Sequence, residues 1–194
     1  MHTRRFSMAI LGVWVGITVA MVFIAIQNFK AVDQLLEAPS GPASKMMVQL
    51  GVSSSRMLLR YQVSELNRFY FDVYGTAQIW LALLLAGTLL FATNGNRLTM
   101  VLCALTFLVV IFEKFWLTPE ITYLGRLVDF VPEMVVSAER SRFWSFRSAY
   151  SSAEAVKGLL LLLIALKMLV KTEPRRHRRS RHTDMDLTTA TVAD

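Results

Sequence analysis

The chain has 194 residues, 54% of them hydrophobic, and a formal net charge of +7. With a mean hydropathy of +0.44, this composition is too apolar for an ordinary soluble domain. The lone Cys103 excludes an intrachain disulfide.

Four apolar segments, 7–29, 76–93, 98–118 and 153–170, are close to the ~17–25 residues needed to cross a bilayer. They predict an all-α fold: an integral membrane four-helix bundle over 1–171, with amphipathic extramembrane helices on the outer side. A basic tail over 172–194 follows, expected to be disordered. The first segment starts after Arg4 and Arg5, but its apolar run exceeds the ~7–15 residues of a signal-peptide core and lacks a small-x-small cleavage site. It is expected to be a retained helix. Its Gly12, Gly16 and Ala20 form a small-residue ridge expected to pack against other helices of the same chain.

Pro39-Ser40-Gly41-Pro42 is a turn cluster that stops a helix. Beyond it Met46, Met47, Leu50, Met57, Leu58, Tyr61 and Leu66 recur mostly at three- and four-residue steps. This spacing predicts an amphipathic helix, broken near Gly51–Ser55, lying as a lid over the bundle. The second segment carries Ala82 and Ala86 as a further close-approach pair, and Thr93-Asn94-Gly95-Asn96-Arg97 is a tight turn between antiparallel helices. Cys103 is expected to be a small packing residue in the third segment. Thr118-Pro119 and Pro132 predict a short element between two breaks, and from about Ser137 the pattern is helical into the fourth segment.

Arg4, Arg5, Arg97, Lys171 and the run Arg175, Arg176, Arg178, Arg179 and Arg181 flank the segments on one side. The positive-inside rule then places both termini in the cytoplasm and the long loops outside, in a plasma (inner) membrane. Beside a membrane segment the basic run reads as a topology determinant contacting anionic lipid, and nucleic acid is not an expected partner.

Charges inside apolar segments cost about 2.5–3.5 kcal/mol each on insertion scales. At 1.5 Å per residue, Glu113 lies about 24 Å from Arg97, while Lys157 and Glu154 lie about 21 and 25 Å from Lys171. Gln78 falls at a similar level, so Gln78, Glu113, Lys114, Glu154 and Lys157 are expected to share one layer in the outer part of the bilayer. Adjacent Glu113 and Lys114 point about 100° apart, so they cannot serve one partner. Glu154 with Lys157, or Glu113 with Lys157, can pair. Two readings stand: an ion-pair clasp locking the third and fourth segments with Lys114 snorkelling outward, or a polar pocket binding a small solute, a lipid headgroup or a proton.

A faint internal repeat runs through the same region. Arg68-Phe69-Tyr70 followed by Tyr74-Gly75-Thr76-Ala77-Gln78 parallels Arg142-Phe143-Trp144 followed by Tyr150-Ser151-Ser152-Ala153-Glu154. It fits two parallel helical hairpins and equally the general gathering of aromatic and basic residues at membrane interfaces.

His2, His177 and His182 all lie outside the apolar segments, which argues against haem or a His-based metal site within the membrane, and no cofactor is expected. No nucleotide-binding loop, zinc-protease helix or serine-hydrolase elbow is present, so catalysis is not expected. The stretch Arg68 to Gln78, the exit Leu117-Thr118-Pro119-Glu120-Ile121 and the stretch Phe146 to Glu154 resemble the transmembrane-protein-205-like family over about residues 8–170. The resemblance implies a four-helix integral membrane protein without an established reaction. Where such proteins often have His before the last span, this chain has Arg147 or Ser148. The functional expectation is therefore binding or movement of a small solute through the polar layer. The alternative is a non-catalytic scaffold whose outer helices, residues 46–66, dock a protein partner.

Overall fold

The computed structural model describes residues 2–38, 41–92, 97–131 and 137–170, and their regular structure is entirely helical. In chain order these are α1 (His2–Glu37), α2 (Pro42–Leu50), α3 (Val52–Ala92), α4 (Arg97–Phe112), a π-helical turn (Glu113–Leu117), α5 (Thr118–Val128) and α6 (Ala138–Val170). Part of the expected turn cluster, Pro39-Ser40, lies outside the described residues. So do residues 93–96 of the tight turn, Pro132 and the basic tail.

Three helical stretches, Arg4–Glu37, Val52–Phe91 and Arg97–Val128, are long and apolar enough to cross a membrane. The fourth expected segment, 153–170, lies within α6 and is the more charged one, with Glu154, Lys157 and Lys167. Ser137 opens α6, its Oγ accepting the Arg140 backbone N–H at 3.2 Å, which satisfies one of the free donors of a helix start.

The break expected near Gly51–Ser55 is present and confined to one residue. Gly51, at φ +82°, is the whole interruption between α2 and α3, because only glycine adopts that backbone cheaply. Ser53–Ser55 are helical, and α3 then runs 41 residues without a break, about 60 Å. Thr118-Pro119, by contrast, does not end its helix. Proline has no N–H for the carbonyl four residues back, and the chain widens by one π turn to absorb it. The backbone N–H of Thr118 bonds the Glu113 carbonyl, and Thr118 Oγ1 donates to the same oxygen at 2.9 Å.

The apolar core joins all four long helices toward the end that carries Arg4 and Val170. Ile10, Leu11 and Trp14 of α1 meet Ala82, Leu85 and Leu89 of α3, Leu102, Cys103 and Val110 of α4, and Leu161, Ile164 and Met168 of α6. Arg4 Nη2 closes this end by donating to the Leu169 carbonyl at 3.2 Å. Cys103 is buried there as a small packing residue, and Ala82 and Ala86 also sit at the core.

The ridge Gly12, Gly16 and Ala20 does not. It faces outward, with nothing near a Cβ built on either glycine, because Trp14 commits the opposite face of α1 to the core. Nor does the amphipathic segment form a lid: Met46, Val48, Leu50 and Leu58 are exposed. Much of the outward surface of the long helices is apolar, with Phe23, Trp80, Leu108, Phe115 and Leu159 among the exposed side chains, while exposed charges such as Lys30, Arg56, Asp72 and Arg142 lie toward the end opposite Arg4 and Val170.

Trp14, fully buried, is the largest core side chain. Trp14→Ala is expected to cost about 3–5 kcal/mol in reversible denaturation in micelles, against about 1 kcal/mol or less for the exposed neighbour Val15→Ala. Equal losses would contradict this core.

Candidate functional site

Helical spacing puts Tyr150, Glu154 and Lys157 on one face of α6, and Tyr74 and Gln78 on one face of α3. The π turn presents Glu113 to both. Lys157 sits where these faces converge, 1% exposed. Its ammonium donates to Glu113 Oε2 at 2.6 Å, Glu154 Oε1 at 2.7 Å and Gln78 Oε1 at 2.7 Å. Three donor hydrogens meet three acceptors, which is the full capacity of a lysine head. The Tyr74 ring centroid lies 5.7 Å from the same nitrogen, within cation–π range.

The two carboxylates are treated differently. Glu154 Oε1 also accepts from Tyr150 at 3.2 Å and Gln78 Nε2 at 3.3 Å. Its Oε2 is approached by the Tyr74 hydroxyl at 3.3 Å, but that hydroxyl makes a shorter bond, 2.9 Å, to Thr18 Oγ1. Thr18 in turn donates to the Trp14 carbonyl at 3.0 Å, so it is the acceptor in that bond. Glu113 is sealed, at 2% exposure, and its Oε1 has no hydrogen-bond partner among the described residues. One ammonium thus faces two carboxylates.

Four of the five residues expected in one layer, Gln78, Glu113, Glu154 and Lys157, therefore meet. Lys114 does not join them. It leaves sideways, and its ammonium bonds the Asp72 carboxylate and, at 2.8 Å, the Asp72 carbonyl. Gly75 makes room for this crossing, since a Cβ there would lie 2.9 Å from Lys114 Cδ. The physical reason is the one that separates adjacent helical residues: with Glu113 turned inward, Lys114 points along the flank.

Beyond the cluster, away from the apolar core, lies a cavity of about 370 Å³ between α1, α3, α5 and α6. Thr18, Met21, Val22, Ala25 and Phe29 form its α1 wall, and Phe143, Arg147, Tyr150, Ser151 and Glu154 its α6 wall. Phe71 and Tyr74 face it from α3, and Thr118, Ile121 and Thr122 from the π turn's exit and α5. Val22 and Ser151 of the lining are exposed, so the cavity reaches the protein's side surface at α1 and α6. Phe71 and Tyr150 meet edge to face at 5.8 Å.

A second ionic group closes the far end. Arg68 bonds Glu65 and Asp129, each at 2.7 Å, and Arg126 bonds Glu65 through Nε at 2.9 Å and Nη2 at 3.1 Å. Gly125 lies under the Arg68 guanidinium, where a Cβ would come within 2.7 Å of Nη2.

No family model matches the chain, and neither a curated protein nor a solved structure is similar to it. Among the described residues no group of three or more His, Cys, Asp or Glu is placed to hold a metal ion. The sequence reading did not assign Tyr74, Tyr150 and Thr18 to the site. The two tyrosines were legible in principle: each stands four residues before a polar member of the cluster, at equivalent places of the faint repeat. Thr18 carries no such signal, because a lone threonine in an apolar helix commonly bonds its own backbone.

Lys157→Met leaves two buried carboxylates without their cation and is expected to cost about 3–5 kcal/mol. The exchange Glu113→Lys with Lys157→Glu is expected to recover most of what either reversal loses alone, read by denaturation midpoints in a double-mutant cycle. Additive losses would show that the pair does not hold the helices together.

Proposed function

We propose that the chain is a multi-pass membrane protein that binds a small lipophilic or amphiphilic solute in the cavity between α1 and α6. Four long helices cross the bilayer in this reading, with both termini cytoplasmic in the plasma (inner) membrane and the cavity in the outer leaflet. The membrane placement is supported by the surface, where large apolar side chains face outward along the helices while Glu113, Glu154 and Lys157 meet inside. Exposed apolar faces of that extent are rare on soluble monomers. In hydrocarbon the pairing of Glu113, Glu154 and Lys157 makes their charges tolerable, since intramembrane ionisable residues ordinarily face a bundle interior and pair there.

One observation carries the binding reading beyond a clasp. Glu154 belongs to the ion cluster and also to the cavity wall, so whatever occupies the cavity touches the group that locks the helices. The chain's kinship with the transmembrane-protein-205-like family and contact of the basic tail with anionic lipid are parts of the same proposal. Catalysis is not.

The exposed Met46, Val48 and Leu50 of α2 favour a second reading, a scaffold docking a protein partner, which predicts a co-purifying protein lost when 46–66 are replaced.

The cavity reading is tested with a photoreactive alkyl diazirine on protein in lipid nanodiscs, crosslinks being mapped by mass spectrometry. Crosslinks are expected to concentrate at Met21, Ala25, Phe143 and Ser151 over the outward-facing Val19 and Leu159. Ala25→Trp, which fills the cavity, is expected to lower the former at least about fivefold. Uniform labelling that ignores the substitution would sink the reading.

A further inference from the structure

We infer that the solute taken by this cavity is a lipophilic organic cation, a small ammonium carrying an apolar body. This inference rests on the cavity being a binding site, and it assigns the charge of the ligand. The cluster at the cavity floor contains one ammonium, Lys157, and two carboxylates, Glu113 and Glu154. Lys157 and Glu113 are sealed from the cavity at side-chain exposures of 1% and 3%, while Glu154 keeps 18%. Of the three ions in this cluster, the one that a ligand meets is therefore the Glu154 carboxylate.

That carboxylate has an acceptor to spare. Three donors crowd Glu154 Oε1, from Lys157, Tyr150 and Gln78. Among the described residues Oε2 has only the long Tyr74 contact, from a hydroxyl whose single proton is better placed on Thr18. An ammonium against Oε2 would sit on the partly exposed carboxylate at its open acceptor.

The walls suit the rest of such a molecule. Phe71, Tyr74, Tyr150 and Phe143 surround the approach to Glu154 with aromatic faces and edges, the surroundings that attract alkylammonium groups. Met21, Val22, Ala25 and Ile121 line the remainder, and the sideways opening lets an amphiphile arrive from the bilayer.

Arg68 and Arg147 also line the cavity, and each has a partner outside the cluster. Arg68 is held between Glu65 and Asp129. The Arg147 guanidinium lies 5.5 Å from the centroid of the exposed Trp144 ring. Lys114 is drawn to Asp72 on the flank of α3.

Three probes of one shape separate the possibilities: 4-phenylbutyl-trimethylammonium, its uncharged carbon isostere with a tert-butyl head, and the anion 4-phenylbutanesulfonate. Each competes against diazirine labelling of the cavity in nanodiscs. The expected result is displacement by the ammonium at a concentration at least about tenfold below that of the isostere, with the sulfonate weaker still. In Glu154→Gln, which keeps the acceptor from Lys157 and a similar shape, the ammonium should fall to the level of the isostere. Unchanged displacement by the isostere in that variant reports an intact cavity. Equal potency of all three probes, or preference for the sulfonate, overturns the cation assignment and leaves the cavity reading standing. Cavity labelling that no probe displaces overturns the cation assignment as well, while absence of cavity labelling overturns both.

Discussion

A single ammonium group holds the middle of this protein. Lys157 reaches one acceptor on each of three separate segments: Gln78 on α3, Glu113 on the π turn and Glu154 on its own helix. Each of those segments also contributes to the apolar core or to the cavity, so the lysine fixes how the helices meet. Burying such a group is costly unless its partners are in place, because desolvation of an ion exceeds what a poorly aligned pair returns. The geometry here leaves none of the three ammonium hydrogens without an acceptor. That satisfaction is uneven across the cluster, since Glu113 Oε1 and the Trp14 indole N–H have no partner among the described residues. A partly satisfied polar layer is the part of a bundle most responsive to anything placed beside it.

Helical periodicity made much of this arrangement legible. Helical rise puts Glu113, Glu154 and Lys157, counted from Arg97 and Lys171, and Gln78, counted from the end of its apolar segment, at one depth, and they do meet. The same arithmetic failed for Lys114, because depth is a statement about rise and Lys114 is separated from the cluster by rotation. Helical spacing makes Glu113 and Lys114 diverge without fixing which one turns inward; Asp72 and the gap left by Gly75 decide it. The cavity was also beyond reach, since it depends on where α1 and α6 diverge and no local pattern records that.

Thr118-Pro119 carries residues that punctuate helices in water, yet the α4–α5 run continues through it. In a long helix with tertiary contacts on either side, ending and restarting costs more free backbone groups than continuing. The ridge of Gly12 and Gly16 failed for a different reason. Small residues permit close approach without requiring it, and the bulk of Trp14 claims the inner face of α1.

The π turn at Glu113–Leu117 has a consequence of its own. A π turn holds one more residue than the α-helical turn it replaces, so the helix beyond it is rotated by about 100° relative to an uninterrupted one. Every residue of α5 owes its bearing to that extra position. Without it, Ile121 and Thr122 would leave the cavity wall and Gly125 would no longer lie beneath Arg68. Five residues of widened helix thus act as an angular offset between two halves of one rod. The half before them is phased to the apolar core, and the half after them is phased to the cavity and its ionic rim.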